Sequence, residues 1–350
     1  MASPLSKELA AMPALVSVVL PVYNAQTTLK PAVTSILRQR HRQIEVIAVD
    51  DGSTDSSPAI LGELAAGDPR IRILAPGRQG LIGALNAGVA AAQSGIVARM
   101  DADDIAHPSR ISRQVSYLCA HPDADVVSSL IRIFPCPAVA KGFRVYEEWL
   151  NALRTPEEIA REIYIESPLA HPSVTFRRQT FDSVGGYQEN GWPEDYDLWL
   201  RMHTAGHRMG KVPEVLLHWR EGPTRLTRTD SRYSVENFIR AKAHYLRLGP
   251  LADRPIAIVW GAGQMGRRLS KHLQRADVTI KAFVDIDPKK IGNTRRGAPI
   301  IAPADLPQVW HDAGEPLVLA SVPSRGARAL IRNRLAGMGM EETKDFYCVA

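Results

Sequence analysis

Short apolar runs alternate with amphipathic stretches over the first hundred residues of the chain. The apolar runs are typical of buried strands, and the stretches between them repeat apolar positions at helical spacing. Strands that alternate with helices of about 10 to 15 residues favour βαβ units and a mostly parallel sheet. The predicted strands cover residues 16–20, 44–49, 71–74 and 96–98, and the predicted helices cover 26–38, 56–65 and 81–93.

A second pattern of the same kind begins late in the chain. A long amphipathic stretch at 231–248 is followed by a Gly-Pro-containing segment at 249–254, where we place a boundary. The apolar run 256–260 then leads into a glycine-rich turn. The predicted domains are an N-terminal extension (1–14), a first α/β domain (15–228), a helical connector (229–252) and a second α/β domain (253–350).

The composition is that of a globular protein. The chain has 350 residues, of which 45% are hydrophobic and 23% charged, and no stretch approaches the roughly 18 apolar residues of a membrane span. The first residues lack the apolar segment of a secretory signal, so we expect a cytoplasmic protein. The three cysteines are far apart, and the histidines lack metal-binding spacing, which argues against a zinc site.

The net charge of +6 is unevenly distributed. Between His218 and Arg254 there are eight Lys or Arg residues against four Asp or Glu residues. This excess favours an anionic partner such as a phosphate group, or peripheral contact with the inner face of a membrane. No basic run interleaved with aromatic residues occurs, so we expect no nucleic-acid partner.

Three carboxylates directly follow the predicted strand at 96–98. Asp101, Asp103 and Asp104 lie within four positions of one another, and crowded negative charges raise one another's pKa values unless a cation joins them. A hard divalent cation prefers such oxygen ligands. The pattern therefore predicts a metal site at the carboxyl end of this strand, where open α/β sheets bind ligands.

Polar residues also follow the first two predicted strands. Pro21, Tyr23 and Asn24 end the first strand, and Asp51 lies in V-D-D-G-S-T-D at the end of the second. By itself, D-G-S-T-D is equally typical of a turn and helix cap. Because both segments fall on the same edge as the acidic cluster, we expect them to line one pocket.

A further acidic cluster opens a predicted helix in W-P-E-D-Y-D-L-W. Glu194, Asp195 and Asp197 occupy its first turn. Acidic residues in a first turn often only complement the helix dipole, so this cluster alone leaves a structural and a catalytic interpretation open.

Taken together, the motifs resemble the family 2 glycosyltransferases of GT-A fold. The resemblance covers about residues 15 to 220 and rests on the order of its motifs. These are V-S-V-V-L-P-V-Y-N, V-D-D-G-S-T-D, M-D-A-D-D with H-P-S-R-I, H-P-S-V-T-F-R-R with V-G-G-Y, and P-E-D-Y-D-L-W-L-R.

The resemblance implies roles on the donor side of the site. Pro21, Tyr23 and Asn24 would line the nucleotide pocket, Asp51 would accept a hydrogen bond from the base, and Asp101 would approach the ribose and the metal. Asp103 would be the principal ligand of Mg²⁺ or Mn²⁺, with Asp104 as a structural neighbour.

The resemblance also implies roles in catalysis and acceptor binding. Asp195 would be the general base of an inverting displacement, and Glu194, His171 and Trp192 would contact donor or acceptor sugars. His171, a lone histidine before proline, is equally typical of a packed turn. The Arg-rich segment 218–228 suggests either a solvated connector or a mobile lid whose guanidiniums bind the diphosphate, through Arg220, Arg225 and Arg228.

The second α/β pattern resembles a Rossmann-type domain. Gly261, Gly263 and Gly266 follow an apolar run and precede a helical one, and Asp285 lies 24 residues after Gly261, where an acidic residue would bind a ribose. NAD(P) binding, a structural remnant and an interaction role all remain open for this domain.

The sequence thus predicts an α/β protein in which a GT-A domain is followed by a small Rossmann-like domain. Its expected function is metal-dependent, inverting transfer of a sugar from a nucleoside-diphosphate sugar, UDP-linked by preference. The acceptor would be a hydroxyl of a glycan or lipid-linked glycan in cell-surface polysaccharide or lipopolysaccharide synthesis. Two alternatives are a bifunctional enzyme that modifies a sugar nucleotide with NAD, and a non-catalytic nucleotide-sugar sensor.

Overall fold

The computed structural model describes residues 15–135, 141–222 and 225–350. Within these ranges no helix has both the length and the apolar character that a bilayer span needs. The chain divides into two compact units. The first comprises residues up to Ile159, Pro168–Asn190 and Ala205–Arg225; the second comprises Ala160–Ser167, Gly191–Thr204 and Leu226–Ala350.

The first unit is built on an eight-stranded mixed sheet with the order β3-β2-β1-β4-β7-β6-β8-β5. The first four strands are parallel, because each returns to the sheet through a helix. β7 pairs antiparallel with both β4 and β6, while β8 runs parallel to β6. The strands are β1 (Val16–Val22), β2 (Ile44–Asp50), β3 (Ile71–Leu74), β4 (Ile96–Arg99), β5 (Ile105–Ala106), β6 (Ala124–Phe134), β7 (Thr175–Arg177) and β8 (Arg208–Arg220).

Helices follow the strands of this sheet and pack against it. Gly88 lets the helix Gly80–Ala90 approach β1 closely, because a Cβ at this position would collide with the side chain of Val19. The helices that begin in this unit are α1 (Leu29–Leu37), α2 (Ser57–Gly67), α3 (Gly80–Ala90), α4 (Arg110–Ala120), α5 (Lys141–Ala152), α6 (Pro156–Glu162) and α7 (Arg178–Ser183).

The second unit contains a separate six-stranded sheet with the order β11-β12-β10-β9-β13-β14. All neighbouring strands are parallel except the short β11–β12 pair. Its strands are β9 (Ile256–Trp260), β10 (Thr279–Val284), β11 (Thr294–Arg295), β12 (Ala298–Ile301), β13 (Leu317–Ala320) and β14 (Phe346–Cys348), and its helices are α8 (Glu194–Thr204), α9 (Leu226–Thr229), α10 (Val235–Leu248), α11 (Gln264–Arg275), α12 (Leu306–Asp312) and α13 (Ala327–Gly337).

Segments distant in sequence are joined inside the second unit by a buried lysine. Lys242 of α10 donates from Nζ to the carbonyl oxygens of Ile165 (2.6 Å) and Val349 (3.1 Å). Burial lowers the pKa of Lys242 to about 8, although the negative charge of Glu166 acts to raise it. An amine in this environment is tolerated because both carbonyls satisfy its donors.

The predicted alternation of strands and helices is confirmed in both halves of the chain, including the parallel pairing of β1, β2, β3 and β4. A second sheet in the C-terminal part is confirmed as well, whereas its Rossmann-type character stays a prediction. The domain boundaries at 228 and 252 also stay predictions. The compact units follow a different division, because residues 160–167 and 191–204 belong with the C-terminal part.

Candidate functional site

The acidic cluster lies immediately after β4, in the first unit. Carboxylate oxygens of Asp101, Asp103 and Asp104 lie within 4.8 Å of one another. Asp104 is fully buried, and its Oδ1 accepts a hydrogen bond from the backbone N–H of Arg220 at 2.7 Å. Its Oδ2 is buried and accepts no hydrogen bond from the described part of the chain. An orphaned buried carboxylate oxygen leaves one strong acceptor for a cation.

Burial and mutual repulsion disfavour the charged forms of these carboxyl groups. Burial raises the pKa of Asp103 to about 6, and the charge of Asp101 acts in the same direction. Burial also raises the pKa of Asp104 well above its ordinary value, again with a contribution from Asp101. Three oxygen ligands of this kind suit a hard divalent cation, so the residues present fit Mg²⁺ or Mn²⁺.

Two buried arginines fix the strand end that carries the cluster. Arg99 forms an ion pair with Asp101 at 2.6 Å. Arg110 donates from Nη2 to the carbonyl oxygens of Arg99 (2.6 Å) and Val174 (3.2 Å), and its side chain is fully buried. Sequence reasoning assigned neither residue a role, although Arg110 is the arginine of the H-P-S-R-I motif.

The predicted base-binding residues also gather in the first unit. Asp51 is buried and accepts hydrogen bonds from the backbone N–H groups of Gln79 (2.6 Å) and Gly80 (3.0 Å) and from Arg78 Nη1 (2.7 Å). The guanidinium of Arg78 lies over the ring of Tyr23, 3.5 Å from its centroid. Arg78 is therefore a site residue that sequence reasoning missed, since nothing in its local sequence marks it.

The remaining residues of the first strand end have structural contacts. Pro21 is buried within β1. Asn24 has a positive φ of 48° and accepts a hydrogen bond from the backbone N–H of Thr54 at 2.8 Å, while its own N–H donates to Ser53 Oγ at 3.0 Å. These bonds join the two strand-end loops, which is the proximity that the sequence predicts.

The three arginines of the predicted lid do not share one environment. Arg220 lies within β8, where its Nε donates to the carbonyl oxygen of Asp103 at 2.6 Å. The loop interpretation was therefore wrong for residues 218–220, because they are paired with β6. Arg225 forms an ion pair with Glu221 and lies over the ring of Trp219. Arg228 belongs to α9, in the second unit.

His171 is a packed residue of the first unit. Its Nε2 lies 2.7 Å from the hydroxyl of Tyr187, and the side chain is buried in a 3₁₀ turn. Burial lowers its pKa well below the ordinary value, and the charge of Arg99 acts in the same direction. The imidazole is therefore neutral near pH 7. This geometry favours the packed-turn interpretation, and an acceptor contact stays a prediction.

The predicted base lies at the start of α8, in the second unit. Asp195 is half-buried, and its Oδ2 accepts a hydrogen bond from Ser167 Oγ at 3.3 Å. Its neighbour Glu194 is buried, and both of its carboxylate oxygens accept from the hydroxyl of Tyr233, at 2.9 and 2.8 Å. Burial and the charge of Asp195 raise the pKa of Glu194 to about 7.

The third acidic residue of α8 has a different environment. Asp197 has no exposed surface and accepts hydrogen bonds from Trp192 Nε1 (2.6 Å), Tyr245 Oη (2.7 Å) and Arg201 Nε (2.8 Å). Trp192 is thereby held by its indole N–H, and its ring packs near His244. Asp197 therefore organises the start of α8 through two partners that are close in sequence, Trp192 and Arg201, and one that is distant, Tyr245.

The glycine-rich turn follows β9 as predicted. Gly261 has a φ of +116°, and a Cβ on Gly266 would collide with the carbonyl oxygen of Gly261. Asp285 directly follows β10, and its carboxylate accepts from the backbone N–H of Ala262 at 3.1 Å and from Lys290 Nζ at 3.0 Å. Gly263 is the residue preceding α11.

Known proteins resemble this chain in both sequence and fold. The protein-family model described as "Glycosyl transferase family 2" matches residues 17–185. A second family model, described as "C2185-like, N-terminal", matches residues 255–345. The crystal structure of S. aureus TarS 1–349 in complex with UDP-GlcNAc is 18% identical, with a TM-score of 0.55 over 74% of this chain and 72% of that one. At this identity the likeness shows the fold, which is GT-A.

Two curated relatives match most of their own length. The "Putative glycosyltransferase EpsE" of Bacillus subtilis (strain 168) is 31% identical over 244 residues, covering 68% of this chain and 84% of the relative. The "Amylovoran biosynthesis glycosyltransferase AmsE" of Erwinia amylovora is 30% identical over 236 residues, covering 66% and 84%. Identity at this level along most of two glycosyltransferases, together with the match to the family model, shows that this chain is an enzyme of glycosyltransferase family 2.

Proposed function

We propose that this enzyme transfers a sugar from a UDP-sugar to a hydroxyl of a glycan or glycolipid, with inversion at the anomeric carbon. The observation that carries the proposal is the acidic cluster after β4, where Asp101, Asp103 and Asp104 present carboxylate oxygens within 4.8 Å of one another. A diphosphate leaving group needs positive charge beside it, and these carboxylates can recruit a divalent cation.

The donor nucleotide would bind at the ends of β1 and β2. Tyr23 offers an aromatic face that is 47% exposed, on which a base can stack. The Oδ2 of Asp51 accepts a hydrogen bond from Arg78. A carboxylate oxygen can accept a second hydrogen bond, for example from a base N–H. The TarS structures in complex with UDP and UDP-GlcNAc support a uridine nucleotide as the donor.

Asp103 and Asp101 would hold the divalent cation. Asp104 would fix the loop through its Oδ1 and the backbone of Arg220, and its Oδ2 would remain as a further acceptor beside the cation. A cation bound there would stabilise the charge that develops on the departing diphosphate. Arg99 holds Asp101 in place through its ion pair. These contacts hold the carboxylates in place before the substrate arrives, which is the arrangement that electrostatic stabilisation requires.

Asp195 would accept the proton of the attacking hydroxyl. It lies in the first turn of α8, where the helix dipole favours the charged carboxylate. Glu194 beside it is held by Tyr233, so it would orient the sugar end of the site rather than take the proton. A positioned general base contributes about 10²- to 10⁴-fold to the rate.

The acceptor would belong to a surface polysaccharide or lipopolysaccharide. The name of the Erwinia relative, which specifies amylovoran biosynthesis, supports a biosynthetic role. The excess of basic residues between His218 and Arg254 would suit a lipid-linked acceptor at an anionic membrane surface.

Nucleotide release from a panel of UDP-, GDP- and dTDP-sugars tests this proposal. The assay is run with Mn²⁺, with Mg²⁺ and with EDTA, first without acceptor and then with oligosaccharide or lipid fractions. We expect acceptor-stimulated release of UDP that EDTA abolishes and Mn²⁺ restores. Donor binding without turnover under any condition would instead identify a nucleotide-sugar sensor, and turnover in EDTA would overturn the metal assignment.

A further inference from the structure

A large cavity opens at the carboxyl ends of three strands in the second unit. Its volume is about 900 Å³, and Trp260, Val284 and Ser321 contribute to its wall at the ends of β9, β10 and β13. β9 lies between β10 and β13, so successive strands are laid down on opposite sides of it. Open α/β sheets bind ligands in the crevice at such a switch in strand order.

The turn after β9 brings backbone N–H groups to this cavity. Gly261 and Gly263 line it, together with Gln264 and Met265 of α11. Gly263 precedes α11 and provides no side-chain cap for the helix. The unpaired N–H groups at the start of a helix this long, 12 residues, attract an anion.

Cationic side chains add to this preference for an anion. Arg268, Lys290 and Arg334 line the cavity, together with the carboxylates of Asp285 and Asp287. Lys290 pairs with Asp285 (3.0 Å) and Asp287 (3.7 Å). The preference for an anion therefore rests on Arg334 and on Arg268, whose Nε lies 3.9 Å from a carboxylate oxygen of Glu236. Asp285 accepts from Lys290 and from the backbone of the turn, so a ribose hydroxyl bound there would share this carboxylate.

Apolar side chains are unusually exposed around the same cavity. Ile286, Leu330 and Val235 are 76%, 72% and 55% exposed, and all three line the cavity. Large apolar side chains left open to water beside a cavity mark a surface that a ligand covers. A nucleobase is a flat group that such side chains can cover, while the polar sugar and phosphates attached to it contact the polar part of the cavity.

We propose that this cavity binds a nucleoside mono- or diphosphate. The phosphate lies against the glycine turn and Arg268, and the base lies against Ile286 and Leu330. This site is separate from the donor pocket, whose residues belong to the first unit. The cavity is large enough for a mononucleotide, since ligand pockets span roughly 300–1,000 Å³.

Calorimetric titration of the full-length protein with ADP, GDP, UDP and NADH tests this assignment. We expect at least one nucleoside diphosphate to bind with an affinity that survives Tyr23→Ala, which removes the stacking face of the donor pocket. Arg268→Ala should weaken that binding about tenfold or more, which corresponds to the loss of one charge-assisted contact. Arg275→Ala is the matched control, because it removes the same charge from the last turn of α11, outside the cavity.

A second variant, at an exposed position, tests the same cavity without changing the stability of the fold. Leu330 is 72% exposed, so Leu330→Glu should leave the unfolding midpoint unchanged while placing a negative charge in the cavity. It should weaken the same nucleotide about tenfold or more. The proposal is overturned if no nucleotide binds, if all binding is lost in Tyr23→Ala, if Arg268→Ala and Leu330→Glu both bind normally, or if NADH binds more tightly than every nucleoside diphosphate.

Discussion

Arg78 stacks on Tyr23, with its guanidinium carbon 3.5 Å from the ring centroid. The same guanidinium pairs with Asp51 through Nη1 at 2.7 Å. One arginine therefore connects the exposed aromatic ring to the buried carboxylate of the proposed base pocket. A nucleobase that stacks on Tyr23 must share or displace this guanidinium, so the ring face rather than the phenol is the feature that matters.

Two substitutions of Tyr23 separate the ring from the hydroxyl. Tyr23→Ala should raise the donor KM about tenfold, because base stacking on an aromatic ring contributes about 1–3 kcal/mol. Tyr23→Phe keeps the ring and should leave KM close to that of the unmodified enzyme. Steady-state kinetics with varied donor measures both, and equal effects of the two substitutions would exclude the stacking role.

Removal of one charge from the acidic cluster should abolish transfer without loosening the fold. Asp103→Asn deletes a proposed metal ligand, and we expect metal-dependent turnover to fall by about two orders of magnitude or more. The unfolding midpoint of the metal-free protein should not fall, because one of three mutually repelling charges is gone. Asp123→Asn, at a 61% exposed carboxylate of the same unit, is the control and should retain activity. Full turnover in Asp103→Asn would remove this residue from the metal site.

Asp195 and Asp197 should respond in opposite ways to the same change. Asp195→Asn keeps the size of the side chain but cannot take a proton, so kcat should fall about 10²-fold or more with little change in donor KM. Asp197→Asn removes a buried charge that Trp192, Tyr245 and Arg201 all donate to.

Asp197→Asn should therefore cost about 3 kcal/mol of unfolding free energy, measured by denaturant titration, while the folded fraction retains turnover. An inactive but fully stable Asp197→Asn protein would mean that the base had been assigned to the wrong carboxylate.

Glu194 should make stability depend on pH between its unfolded and folded pKa values. Its folded pKa is raised from 4.5 to about 7, so the folded state holds the proton more tightly than the unfolded state does. The charged form is disfavoured in the fold, and stability falls as pH rises from about 4.5 to about 7. Glu194→Gln removes this titrating group and with it the pH dependence.

The unfolding free energy of Glu194→Gln relative to the unmodified protein should therefore be higher at pH 8 than at pH 5. Denaturant titrations at the two pH values measure the difference. Glu63→Gln, at an exposed carboxylate of α2, is the control and should show no such change. A Glu194→Gln protein with the same relative stability at both pH values would contradict the raised pKa.

The sequence predicted the parts of this protein that depend on local pattern. The apolar runs located β1, β2 and β4, and parallel pairing then placed Asp51 and Asp101 on one edge of a sheet. Strand β8 was missed in part because it contains buried polar residues, which interrupt the apolar pattern. The hydrogen-bond partners of these residues lie far away in sequence. Lys211, for example, is buried and donates to the carbonyl oxygens of Leu150 and Pro168.

The partners of the site residues were beyond sequence reasoning for the same reason. Tyr233 reaches Glu194 across 39 positions, and Arg78 reaches Asp51 across 27. A hydrogen bond between side chains so far apart depends on the three-dimensional path of the chain, which a periodic pattern does not contain. The motifs therefore point to candidate carboxylates but not to the groups that hold them.

The discontinuity of the second unit affects how the protein is made. Residues 160–167 and helix α8 leave the ribosome well before β14, yet all belong to one compact unit. Lys242 needs the carbonyl oxygens of both Ile165 and Val349, so its burial is completed only when residue 349 has been synthesised. The first unit can pack its sheet as soon as Arg220 has emerged. The helix that carries Asp195 contacts α10 through Asp197 and Tyr245, so a nascent chain can complete its proposed metal-binding loop before the surroundings of its proposed base.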